Sequence, residues 1–279
     1  MTPEPSDLRT FGGQRPGAEI NGMNLAEADE ACVEWIKQKL ADHGVLVFRN
    51  QALGPTEYIR LTRLFGELEP STREQFWHPD HPEIYVISNV VENGRLIGNP
   101  NDGFAWHTDQ YYFEQPTAYT FLYGIETPPE GGDTQFCSTY ELYDQLPEEL
   151  KQTYSIKKIL ASHSKLNAGR LHDGQEERYP DIAQPLVRKH PITGRKFLYF
   201  SSKLASNPLE MSQAEFDRLH ADLIGRATQP ERVYSHKWRN GDLVIWDNRG
   251  LLHTATAYDK KAHRRICYRI SVVGEKPLQ

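Results

Sequence analysis

Cysteine is scarce, with only Cys32, Cys137 and Cys267 in 279 residues. The odd count, the wide spacing and the lack of any CxxC argue against a disulfide framework and favour a reducing compartment. Long apolar runs are missing too; none approaches the roughly 20 residues that a membrane helix needs. No stretch of lysine and arginine is long enough for a polybasic patch, and the formal charge of −6 is spread along the chain. That argues against a nucleic-acid surface. The first residues, Met1-Thr2-Pro3-Glu4-Pro5, show no basic region followed by an apolar one, so no signal peptide is expected. Internal repeats, low-complexity segments and a clear linker are also lacking. The expectation is a single cytoplasmic domain over 1–279 that acts on a small molecule, with no nucleic-acid or membrane partner. Its oligomeric state is left open, and a homo-oligomer fits the reading.

Hydrophobic residues make up 38% of the chain, with 14 Tyr, 11 Phe and 5 Trp, enough for a sizeable core rich in aromatic packing. Val33, Ile36 and Leu40 mark an amphipathic helix over 26–42, and Pro55 opens a second that stops at Gly66. Leu142, Leu146 and Leu150 predict a helix over 140–154 despite Pro147. Ser212 and Glu215 form a capping box that starts another, with Phe216, Leu219 and Leu223 on its apolar face. Strands are expected at 45–48, 84–91, 118–127, 133–137, 196–201, 232–238, 242–246, 251–255 and 265–273. Residues 69–82 and 165–184 read as loops, and both are candidate lids. The strands do not alternate regularly with helices, which disfavours a doubly wound parallel sheet. The pattern instead predicts a mainly β fold with helical decoration (α+β) and a jelly-roll core.

His107 and Asp109 lie in Trp106-His107-Thr108-Asp109-Gln110, a run with strand character that continues into Tyr111-Tyr112-Phe113. In a strand, residues i and i+2 share a face, so both side chains can aim at one point. Taken alone, the pair reads more readily as solvated or capping in a turn. A partner exists downstream, because His253 follows Asp247-Asn248-Arg249-Gly250 between two β segments. Two histidines and one carboxylate with open positions form the facial triad of non-heme iron oxygenases. The remaining histidines sit at helix ends, in loops or on charged faces and read as structural. Arg265 and Arg269 sit in apolar sequence on one expected strand face, and a guanidinium there can take a carboxylate in a bidentate way.

His107-x-Asp109, Gly131-Gly132-Asp133-Thr134, Trp246-Asp247-Asn248-Arg249 with His253, and then Arg264-Arg265 with Arg269 follow in order over residues 40–275. This ordered set resembles the taurine dioxygenase-like (TauD/TfdA) family of Fe(II)/2-oxoglutarate-dependent dioxygenases. The resemblance implies a double-stranded β-helix. It implies Fe(II) held by His107, Asp109 and His253, with 2-oxoglutarate and O₂ as cosubstrates. Thr134 and Arg265 would take the distal carboxylate of 2-oxoglutarate, and Arg269 would face its metal-bound end or a substrate anion. Retention of Asp109 points to hydroxylation over halogenation. Ser71 and Gly103 stand where taurine-oxidising members carry His and Asn, which argues against taurine. Candidate substrate contacts are Arg73, Trp77, His78, Tyr111, Tyr112 and Lys203. Desaturation, epoxidation and oxidative cleavage remain alternatives, as do a non-catalytic metal or small-acid binder and a zinc hydrolase on the same triad.

Overall fold

The computed structural model describes residues 8–168 and 178–278. Its spine is a nine-stranded sheet whose centre is Val45–Phe48, Leu243–Asp247, Thr117–Glu126, Ile266–Val273 and His81–Ser88, in that spatial order. Sequence neighbours are rarely sheet neighbours here, as expected of a jelly roll and not of a meander. A three-stranded sheet, Tyr234–His236, Thr134–Ser138 and Leu251–Ala255, faces it.

Alternation along the strands sorts the core into two layers. Val45, Val47, Leu122, Val244, Trp246 and Cys267 pack with Phe136 and Leu251 of the small sheet. Their neighbours Leu46, Phe48, Phe121, Ile245, Ile270 and Val272 point the other way, against the helices Glu30–His43 and Pro55–Arg63. The first helix begins where the Asp29 carboxylate accepts from Cys32 N and ends at Gly44, whose φ of 79° few other residues tolerate. Each large apolar side chain buried in these layers contributes about 1.5–3 kcal/mol.

Several elements differ from the sequence expectation. The helix over 140–154 is two, Tyr140–Asp144 and Glu148–Ser155. Pro147 separates them, since it lacks an N–H and pushes the preceding residue out of helical geometry. The loop expected at 69–82 contains a 3₁₀ turn at Glu74–Phe76 and a short strand, Trp77–His78, that pairs with the strand starting at His81. The 165–184 segment falls partly outside the described residues, at 169–177; its described flanks are a short helix, His163–Leu166, and a strand, Ile182–Pro185. The capping box at Ser212 and Glu215 is present and opens the helix Gln213–Ala227. No helix among the described residues is long and apolar enough to cross a membrane.

Candidate metal centre and active site

The site is built where a loop meets the small sheet. His253 lies mid-strand in Leu251–Ala255, and His107 forms a single antiparallel bridge with it. His107 N donates to His253 O at 3.0 Å and His253 N donates to His107 O at 2.8 Å. The two rings are thereby brought to 4.1 Å between centroids. Beyond the bridge the chain does not continue as the expected strand. It turns, with Gln110 at φ 44° and Phe113 N donating to Gln110 O at 3.0 Å. Tyr111-Tyr112-Phe113 therefore belong to a turn, and the strand pairing ends at the His107 bridge.

The ligating atoms of His107, Asp109 and His253 all lie within 4.8 Å of one another. Asp109 Oδ1 is 3.7 Å from His107 Nε2, and Asp109 Oδ2 is 3.6 Å from His253 Nε2. Those separations are too long for direct hydrogen bonds but suit three ligands converging on one ion. His107 Nδ1 sits 2.5 Å from Ala105 O, so that nitrogen carries the proton and Nε2 presents a lone pair to the centre.

Asp109, 4% exposed, is held by a buried network. Thr120 Oγ1 donates to its Oδ2 at 2.7 Å, and its backbone N donates to Asn248 Oδ1 at 3.2 Å. Asn248 is fixed in turn by Trp246 Nε1 at 2.9 Å and by its own donation to Thr120 Oγ1 at 2.8 Å. Burial opposes a charge on Asp109, but His253, Arg269 and His107 beside it hold the carboxyl down at about 2. Burial, reinforced by His107, pushes His253 down to about 3. An ionised carboxylate beside a neutral imidazole is the state a divalent cation requires of its ligands. The sequence motif Trp246-Asp247-Asn248 is what marks Asn248; Thr120 carried no signal, being one polar residue in an apolar strand. Asn248→Ala should weaken metal binding about 10–100-fold while the fold persists, as loss of an outer support typically does. Metal titration followed by thermal melting checks this, and an unchanged affinity would remove Asn248 from the supporting network.

Arg265 precedes the strand Ile266–Val273 and is 7% exposed, yet its Nε has no hydrogen-bond partner among the described residues. A buried guanidinium nitrogen left unpaired is costly unless an anion completes it. The adjoining Gly131-Gly132 turn, at φ 72° and 66°, comes so close that a Cβ on Gly132 would lie 3.6 Å from that Nε. Asn89 fixes the approach by accepting from Arg265 N at 2.8 Å. Thr134, which opens the small-sheet strand after the Gly131-Gly132 turn, accepts from Trp238 Nε1 at 3.1 Å, which leaves its hydroxyl hydrogen for another acceptor. A buried guanidinium nitrogen and a hydroxyl with a free hydrogen are groups that suit a carboxylate.

Beside His107 and Asp109 lies a cavity of about 330 Å³. Arg73, Tyr111, Tyr112 and Arg269 line it, together with Asp102, Asn167 and Tyr85, which sequence reasoning did not single out. Polar loop residues such as Asp102 have no periodic signature. Arg269 Nη1 is 3.5 Å from Asp109 Oδ1 and 3.3 Å from Asp102 Oδ2, and its guanidinium lies 4.6 Å over the Tyr85 ring. The remaining candidates lie elsewhere. Trp77 lines a neighbouring groove, His78 accepts from Asp80 N at 3.2 Å, and Lys203 pairs with Asp217 at 2.7 Å on the surface.

Comparison with known proteins places this geometry. The family described as taurine catabolism dioxygenase TauD, TfdA family, matches residues 7–270. An α-ketoglutarate-dependent 2,4-dichlorophenoxyacetate dioxygenase from Burkholderia sp. is 36% identical, covering 92% of this chain and 89% of the relative. An (S)-phenoxypropionate/α-ketoglutarate dioxygenase from Sphingobium herbicidovorans is 34% identical, covering 93% and 92%. Among solved structures, AAD-2 in complex with Mn(II) and N-oxalylglycine superposes with a TM-score of 0.83 at 26% identity, over 98% of this chain and all of that one. The jelly roll, the His-Asp-His cluster and these relatives agree on Fe(II) and 2-oxoglutarate as cofactor and cosubstrate of an oxidoreductase. The chain belongs to the TauD/TfdA family of α-ketoglutarate-dependent dioxygenases.

Proposed function

We propose that the enzyme, acting as one catalytic domain, hydroxylates an unactivated C–H of a small acid with an apolar body. Fe(II), with 2-oxoglutarate and O₂, supplies the oxidation, releasing succinate and CO₂. His107, Asp109 and His253 would hold the metal. Arg265 and Thr134 would take the far carboxylate of 2-oxoglutarate, the anion that completes the unpaired Arg265 Nε. Asp109, kept ionised by its neighbours, offers no exchangeable ligand position for a halide.

The cavity lining carries the substrate reading. Two guanidiniums, Arg73 and Arg269, line a space they share with Asp102, Asp109, Tyr85, Tyr111 and Tyr112, and the two dioxygenases compared above by sequence are named for aryloxy acids. Phe104 and Leu204, 48% and 59% exposed, line the same cavity and give it an apolar lip. The charged inner wall suits an anion and the lip suits a hydrocarbon or aromatic body. The three cysteines are free and buried, which fits work in a reducing cytoplasm.

The test is a panel of small acids, including aryloxyacetates, amino-acid derivatives and sugar acids, incubated with Fe(II) and 2-oxoglutarate. The expected result is succinate formed in step with one acid and a product that gains one oxygen atom by mass spectrometry. A product lighter by two hydrogens would reassign the outcome to desaturation, and succinate formation indifferent to every acid would sink the substrate class.

A further inference from the structure

Across the cavity runs a chain of alternating charge, Arg73, Asp102, Arg269 and Asp109. Asp102 Oδ1 is 3.4 Å from Arg73 Nη1, and its Oδ2 is 3.3 Å from Arg269 Nη1. One carboxylate is thus divided between two guanidiniums and gives neither a bidentate pair. Both contacts are longer than the roughly 2.7–2.9 Å of a well-formed charge-assisted bond.

The two arginines differ in what else holds them. Arg269 faces two carboxylates, Asp109 and Asp102, through Nη1 and lies over the Tyr85 ring, so its charge is already balanced. Arg73 has Asp102 and, at 3.3 Å, the neutral amide oxygen of Asn167. A guanidinium has five N–H donors, so Arg73 retains unused capacity, and its side chain is 24% exposed where it lines the cavity. Asp102 is carried on the loop before Gly103, which sits at φ 80° and is pinned through its carbonyl to Ala255 N at 2.7 Å.

We infer that Arg73 is the anchor for the substrate's anion, and that Asp102 is the internal carboxylate the substrate displaces from it. The proposal rests on the acidic-substrate reading above. An incoming carboxylate brings two oxygens to one guanidinium and forms the fork-to-fork pair that Asp102 cannot. Asp102 keeps Arg269 through its other oxygen, so Arg269 stays in place beside the metal ligand Asp109. A neutral molecule cannot make the exchange and leaves Asp102 where it is. Asp102 would therefore lower the affinity for acids while holding the cavity ordered without one, which makes it a specificity-determining residue and not a catalytic one.

The experiment uses the full chain loaded with Mn(II) and N-oxalylglycine, which allows binding to be read without turnover. Calorimetry then follows 2,4-dichlorophenoxyacetate and its neutral amide. Arg73→Ala should weaken the acid at least about 10-fold and leave the amide unchanged, with Arg73→Lys recovering part of the loss. Asp102→Asn should tighten the acid about 3-fold and leave the amide unchanged. The affinity for N-oxalylglycine serves as the folding control for each variant. Acid binding that Asp102→Asn weakens or leaves unaltered would overturn the displacement, and Arg73→Ala acting equally on acid and amide would overturn the anchor. Wild-type protein binding acid and amide alike would bring down the acidic-substrate reading, and the anchor with it.

Discussion

His253→Ala is expected to abolish Fe(II)-dependent succinate formation, with loss of metal binding as the cause. The loss should exceed the roughly 10–100-fold typical of an outer support, because a ligand itself is removed. His253 is buried, its imidazole is held neutral, and its Nε2 faces Asp109 across 3.6 Å, so no other side chain replaces it. Metal content after gel filtration, read beside succinate, separates a lost ligand from a lost fold. His78→Ala is the matched control, an imidazole removed from outside the cavity, and should leave metal content and turnover intact. Wild-type metal binding in His253→Ala would dismantle the assigned triad.

The second large effect is on the cosubstrate. Arg265→Ala should raise the 2-oxoglutarate requirement by about 2–5 kcal/mol, the cost of removing one partner of a buried charged pair. The rate at saturating 2-oxoglutarate should change much less, because the contact is made equally in ground and transition states. Metal affinity should hold, since Arg265 touches none of the three ligands. Arg265→Lys should recover only part of the loss, a point charge replacing a planar fork. A 2-oxoglutarate KM unchanged by Arg265→Ala would take this residue out of the site, and the unpaired Nε would need another anion.

The readable and unreadable parts of this protein divide along physical lines. Strands such as Val45–Phe48 and Leu251–Ala255 were legible because their burial writes apolar runs into the sequence, and the capping box at Ser212 because its geometry needs those two residue types. Chain order alone could not say that Leu243–Asp247 lies between Val45–Phe48 and Thr117–Glu126, since pairing partners far apart in sequence leave no local mark. The metal cluster was legible as chemistry while its backbone was not. His107 sits in a single bridge and not in a continuing strand, and the chain turns directly after Asp109 with Gln110 at positive φ, an uncommon residue for that conformation. The cavity wall was the least legible. Arg73, Tyr111 and Tyr112 line it, whereas Trp77 lines a neighbouring groove, and His78 and Lys203 find their partners in Asp80 and Asp217. Asp102 and Asn167 act through where loops place them, which composition and periodicity do not encode.

The paired backbone hydrogen bonds between His107 and His253 have a bearing on how the protein folds. They join two segments far apart in sequence, a non-local contact that carries a loop-closure entropy cost. An ion bound by side chains on both segments therefore ties together two parts of the chain that lie far apart in sequence. It favours the native state over every partly folded one by RT ln(1 + [M]/Kd), about 2.7 kcal/mol when the free metal is at 100 times Kd. The catalytic ion is in this sense also a clasp, and the ease with which a chelator unfolds the enzyme measures how much of its stability is held at that one bridge.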